Sequence, residues 1–187
     1  MRRRPPLMVV LGAGAVLVSV AAGACGSSAP GAVHTATTVH VALPAGADPS
    51  RSARMVCSPE AQRALASTLG LPTVAPVTPT WSDHLYSCRY VYRDGVIAVS
   101  VKELDDKAQT TSYFHDLGTR LGDTGVLSGL GQGAFTTTDG SAVVRKDYKV
   151  LLVDVSGLPP QFGVPPTSAA DVAVTVSDLI MGCWTGA

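Results

Sequence analysis

The chain has 187 residues, 46% hydrophobic and 5% aromatic, with 14 Lys and Arg against 14 Asp and Glu. The balance depends on a basic start: without Arg2, Arg3 and Arg4 there remain 11 basic residues against 14 acidic ones, a net charge of −3. A weakly acidic remainder with few aromatic rings excludes an electrostatic or stacking footprint for nucleic acid, and it lacks the polybasic stretch that would hold a protein to anionic lipid.

After Arg2-Arg3-Arg4 the chain is uncharged and apolar from Leu7 to Ala24, with Ser19 its only polar side chain. Small residues then lead into Cys25. A charged start, an apolar middle and a small-residue end predict a secretory signal peptide over residues 1–24. The step Ala22-Gly23-Ala24-Cys25 resembles the bacterial lipobox, with Ala22 where that pattern prefers Leu. The resemblance implies that Cys25 is acylated and becomes the new N-terminus, anchoring the protein on the outer face of the cytoplasmic membrane. One acyl chain binds a bilayer only marginally, whereas two or more hold a protein stably. The alternative is a retained membrane helix, for which the apolar run is short and is weakened by Gly12, Gly14 and Gly23.

Residues 25–52 are rich in Ala, Thr, Pro, Ser and Gly, carry no charge before Asp48 and have no sustained period, which predicts a flexible tether after the lipidated Cys25. His34 and His40 lie in it, and an isolated pair of this kind is read as chance spacing and not as a metal site. Residues 53–187 then make one extracytoplasmic domain of ordinary size.

The domain opens with a helix. Ser58 is a good N-cap, Pro59 suits the first turn, Ala61, Ala64, Leu65 and Leu69 form a stripe, and Gly70 with Pro72 ends it. A Pro-rich loop runs to Pro79. Leu85 to Tyr92 reads as a strand with Tyr86, Cys88, Tyr90 and Tyr92 on one face; Arg93-Asp94-Gly95 turns the chain into a second strand, Val96 to Val101. Asp105 or Asp106 caps a helix to about Leu121, whose apolar face is Phe114, Leu117 and Leu121. Three strands follow, Phe135 to Thr138, Ala142 to Arg145 and Val150 to Val155, with turns at Asp139-Gly140 and Lys146-Asp147. Pro159-Pro160 and Pro165-Pro166 bracket a loop. Ser168 to Met181 has both alternating valines and a helical stripe; length and the Ser168…Asp171 capping signal favour helix. The expected fold is α+β: an antiparallel sheet of about five strands with three helices, in the order α-β-β-α-β-β-β-α.

With Cys25 carrying lipid, Cys57, Cys88 and Cys183 remain in an oxidising space, enough for one disulfide and one leftover thiol. Cys57–Cys88 would stabilise the domain by roughly 3–4 kcal/mol on loop entropy. Cys57–Cys183 would instead join the two terminal helices, and spacing does not choose between them. Cys183, if left over, is either a buried apolar residue or a thiol that pairs with a partner.

The lipobox, the tether, Cys57 by the first helix, Cys88-Arg89-Tyr90 in the first strand and Leu130-Gly131-Gln132-Gly133-Ala134 before a hairpin resemble a large group of actinobacterial envelope lipoproteins of unknown function. The resemblance covers about Cys57 to the C-terminus. It implies a Cys57–Cys88 bridge in a small envelope domain and no activity. Cys183 departs from the pattern.

No catalytic constellation stands out. Gly129-Leu130-Gly131-Gln132-Gly133 lacks the strand before and the helix after that a dinucleotide loop needs. No Gly-x-Ser-x-Gly occurs, and His84 beside Asp83 and His115 beside Asp116 are adjacent pairs whose side chains point apart. Asp105-Asp106 is explained by a helix N-terminus. The expectation is a non-catalytic binding or accessory domain without a cofactor or metal. Its partners would be the membrane through its lipid, and an envelope protein or a small apolar ligand, perceived through Tyr86, Tyr90 and Phe135 if these line a concave sheet face, though ordinary core is the commoner role of such residues. The alternatives are an envelope hydrolase with His84 or His115 as base, and a sensory or accessory subunit marked by an exposed apolar patch.

Overall fold

The computed structural model describes residues 42–184; residues 1–24, expected to be a signal peptide, and Cys25, His34 and His40 lie outside them. The described residues form an α+β domain in the order α1 (Arg51–Met55), α2 (Pro59–Leu69), β1 (Thr80–Ser82), β2 (Leu85–Tyr92), β3 (Gly95–Glu103), α3 (Lys107–Leu121), β4 (Asp123–Val126), β5 (Ala134–Thr137), β6 (Ala142–Lys146), β7 (Lys149–Gly157), β8 (Gln161–Phe162), β9 (Thr167–Ser168) and α4 (Ala169–Cys183).

Seven strands make one antiparallel sheet in the order β1-β2-β3-β7-β6-β5-β4, and β8 pairs with β9 in a small hairpin. Helix α3 carries the chain from β3 to the far edge at β4, and three further strands return to lie beside β3. The sheet is thus two meanders joined by the β3–β7 pair. Side-chain alternation divides it into two cores. On one face Tyr90, Val99, Val101, Leu151 and Val153 pack with Leu65 of α2 and with Val172 and Val176 of α4. On the other, Phe135, Val143 and Val150 pack beneath Leu117 of α3.

Helix ends follow local chemistry. The Ser58 hydroxyl accepts from Ala61 N at 3.2 Å, Pro59 fills the first turn and Gly70, at φ 66°, closes α2 in the left-handed conformation. Asp106 accepts from Gln109 N at 2.8 Å to start α3. Ser168 accepts from Asp171 N at 3.1 Å and donates to the Asp171 carboxylate at 2.6 Å, a reciprocal cap on α4.

Cys57 and Cys88 are bonded, with Cα atoms 5.9 Å apart, so the α1–α2 joint is stapled to β2. Beside the bridge, the Tyr90 hydroxyl donates to the Val56 carbonyl. Burial pushes the Tyr90 phenol well above its ordinary pKa, and burial likewise raises Tyr92 to about 12. No described cysteine is a free thiol, so Cys183, half-buried at the end of α4, is not the leftover thiol that the cysteine count predicted.

The sheet has seven strands where five were expected, and there are four helices where three were expected. The additions are short: α1 has five residues, β1 three, and β8 and β9 two each. Such elements give no periodicity to read. β4 is exposed at every position, so it carries no apolar alternation. Within residues 25–52, whose composition predicts a tether, Ala45 N–H donates to the Leu104 carbonyl at 3.0 Å and so ties the chain to the sheet from that point.

Replacing Cys57 and Cys88 together by Ala is expected to lower stability by about 3–4 kcal/mol in urea unfolding. Asp139, in the β5–β6 turn, gives a pH test. Burial pulls its pKa up, but hydrogen bonds from the Thr137 hydroxyl and from Ser141 N (3.0 Å) outweigh burial and leave it below its ordinary value. A carboxyl depressed in the fold contributes stability above its unfolded pKa and loses it as pH falls through the folded pKa. Asp139→Asn should therefore be less stable than the parent at neutral pH, and the gap should close between about pH 5 and about pH 2 in urea titrations.

Candidate functional site

A cavity of about 320 Å³ opens where the end of β3, the β6–β7 turn, the start of α1 and the end of α4 meet. Its lining includes Glu103, Lys149, Ser50, Arg51, Asp147 and Trp184, with one wall from residues 42–52. That wall is held in place by its neighbours. Trp81 Nε1 donates to the Ala47 carbonyl at 3.0 Å, and His84 Nδ1 lies 3.1 Å from the Gly46 carbonyl.

Glu103 and Lys149 form the last rung of the β3–β7 ladder, facing each other in register. On the same face Val101 pairs with Leu151 and Val99 with Val153, so alternation drives both charged side chains towards the core. Both are more than nine-tenths buried, Glu103 at 3% exposure and Lys149 at 7%. Nevertheless no ion pair joins them. Glu103 Oε1 accepts from both the backbone N–H of Ser50 (3.1 Å) and its hydroxyl, which seats the N-cap of α1. Glu103 Oε2 has no hydrogen-bond partner among the described residues. The Lys149 ammonium makes one long hydrogen bond, 3.4 Å to the Asp147 carbonyl. Trp184, 3% exposed, also lines the cavity, and its backbone carbonyl accepts from Lys146 Nζ at 2.9 Å.

The turn that presents Lys149 is braced from behind. Asp147 and Tyr148 sit at φ 49° and 57°, the paired left-handed conformations of a two-residue hairpin turn. Gln132 clamps that turn: its amide donates to the Asp147 carboxylate at 3.0 Å, and its carbonyl oxygen accepts from Asp147 N at 3.3 Å. Arg145 secures the loop bearing Gln132, donating to the Gln132 carbonyl (3.0 Å) and to the Thr111 hydroxyl on α3 (2.7 Å), with its guanidinium 5.4 Å from the Phe114 ring centre. Leu130-Gly131-Gln132-Gly133-Ala134 is therefore a brace for a strand turn, and a strand, β5, follows it as the sequence spacing implied.

Other sequence candidates fall elsewhere. His84 and His115 are both exposed, and neither ring is hydrogen-bonded to a Ser, Thr or Asp side chain among the described residues. Tyr86 and Tyr90 belong to the core under α2 and α4, whereas Phe135 belongs to the core under α3, so the three do not line one concave face. Among the described residues no three His, Cys, Asp or Glu side chains are grouped to hold a metal ion, and no helix is long and apolar enough to cross a membrane. Sequence reading missed Glu103 and Lys149 altogether. In comparisons with protein families, curated proteins and solved structures, nothing matches this chain.

The brace is open to test. A Cβ on Gly131, at φ +56°, would lie 2.6 Å from the Arg145 carbonyl oxygen and 2.8 Å from a Val144 methyl, whereas a Cβ on Gly129, at φ +85°, meets nothing within 4 Å. Gly131→Ala should lower stability by about 2–4 kcal/mol and Gly129→Ala by about 1 kcal/mol, read from paired urea curves.

Proposed function

We propose that this chain is an envelope lipoprotein, similar to the actinobacterial group of unknown function, whose domain serves as a binding or accessory module. The anchor in this reading is lipid on Cys25, exposed when residues 1–24 are removed, and the domain stands outside the cytoplasmic membrane. Support for the location comes from Arg2-Arg3-Arg4, the uncharged run to Ala24 and the small residues before Cys25.

The observation that carries the binding reading is the cavity at the end of the β3–β7 pair, lined by two buried, opposite charges. Pockets that take small molecules combine an apolar wall with a few placed polar groups, as Trp184 and the Glu103–Lys149 rung do here. The charged lining favours a polar occupant over the small apolar ligand that composition allowed. The hydrolase alternative draws no support from two exposed imidazoles, neither of them hydrogen-bonded to a Ser, Thr or Asp side chain among the described residues. For the sensory-subunit alternative, the exposed large apolar residues Leu43, Val74, Leu85, Val126 and Val164 lie on five different segments of the chain.

Membrane and soluble fractions of cells producing the protein provide the test of anchoring. The parent should sediment with membranes and Cys25→Ser should move to the soluble fraction. An unchanged distribution overturns the lipid anchor, and intact mass of the parent reads the acyl groups directly.

A further inference from the structure

The geometry points to a specific ligand class for this cavity: a small zwitterion, a free α-amino acid, whose ammonium meets Glu103 and whose carboxylate meets Lys149. The inference rests on the binding reading above and deepens it. Opposite charges facing each other across an antiparallel rung are close enough to pair. Here they do not, although both are more than nine-tenths buried. Each keeps unused capacity: Oε2 of Glu103 has no partner among the described residues, and Lys149 uses one of three donors, over 3.4 Å. A charge taken out of bulk water is unfavourable unless its remaining hydrogen-bonding capacity is met. A single molecule with one positive and one negative end, placed between the two, meets both needs at once.

Each alternative ligand class satisfies only half the site. A simple anion leaves the Glu103 carboxylate unpaired and adds repulsion from it and from Asp48 on the lining; a simple cation leaves Lys149 unpaired, with Arg51 nearby. Size limits the rest of the ligand. The cavity, about 320 Å³, stands near the lower end of small-molecule sites, roughly 300–1,000 Å³. That suits an amino acid with a modest side chain against Trp184, Leu43 and Pro44.

Amide chemical shifts of the purified full chain in detergent, titrated with glycine, alanine and leucine, test the assignment. N-acetylalanine, which lacks the cation, and alaninamide, which lacks the anion, are the controls. At least one free amino acid should bind with a dissociation constant below about 1 mM. Both controls should bind at least about tenfold more weakly, because each leaves a buried charge unpaired. Glu103→Gln retains an acceptor for Ser50 and removes the charge; it should weaken the free amino acid and bind N-acetylalanine at least as tightly as the parent does. Lys149→Met should weaken the free amino acid and bind alaninamide at least as tightly as the parent does. Both variants should melt cooperatively, which separates loss of the site from loss of the fold. Controls that bind as tightly as the free amino acid overturn the zwitterion assignment and leave the cavity as a binding site. A folded parent whose cavity amides are moved by none of the probes at about 10 mM overturns the assignment and removes support for the binding reading as well.

Discussion

The β3–β7 pairing joins the strands that precede α3 to those that follow it, and the remaining tertiary structure depends on its register. Val99 lies opposite Val153, Val101 opposite Leu151 and Glu103 opposite Lys149. A slip of one residue would turn one whole set of side chains to the α3 face and expose the opposite set to α2 and α4. The pairing is also the longest closure in the sheet, because α3 and three further strands intervene before the chain returns to β3. The Cys57–Cys88 bridge reinforces the same face, fixing the α1–α2 joint onto β2, the neighbour of β3. Once that face is covered, α4 can lie across β6 and β7 with Val172, Val176 and Ile180 buried.

Stability does not explain how the ladder ends. An apolar pair in place of a buried ionic one is often neutral or stabilising, since removing two charges from water takes more than their attraction returns unless the remaining hydrogen bonds are satisfied. Glu103 has a structural duty, because Ser50 donates to it twice and α1 begins there. Lys149 has no equivalent, and its hydrogen bond to the Asp147 carbonyl is long. Its position is nonetheless maintained by expensive means: two consecutive non-glycine residues at positive φ, and a glutamine clamped to their turn from a separate loop. That effort at a buried ammonium is consistent with use of the cavity it faces.

The long elements could be read from the sequence because local and tertiary preferences agree there. Leu85–Tyr92 alternates strictly, and the expected strand matches β2; Ser58, Asp106 and Ser168 cap the three longer helices as their side chains predicted. The remaining elements are stabilised by pairing or contact and not by their own pattern. Thr80–Ser82 is a strand because β2 offers it an edge, and Asp123–Val126 because β5 does. Residues 45–50 look like linker by composition, yet they are held by the Leu104 carbonyl, the Glu103 carboxylate, Trp81 and His84.

The cavity escaped the sequence reading for a different reason. A search for bases, nucleophiles and ligand spacings looks for residues that are close in sequence or typical of a motif, while Glu103 and Lys149 are brought together by strand register alone. A signal for them was nevertheless present. The inward phase of β3 runs through Val99 and Val101, and two residues on, the next inward position is Glu103; the inward phase of β7 runs back through Val153 and Leu151 to Lys149. A charge at the core phase of an otherwise apolar strand has to be paired, hydrogen-bonded or turned to a purpose. Because it falls at both ends of one rung, with opposite signs and without closing into a pair, the two residues define a place in the domain where a molecule with two charges is complementary to the protein and a molecule with one is not.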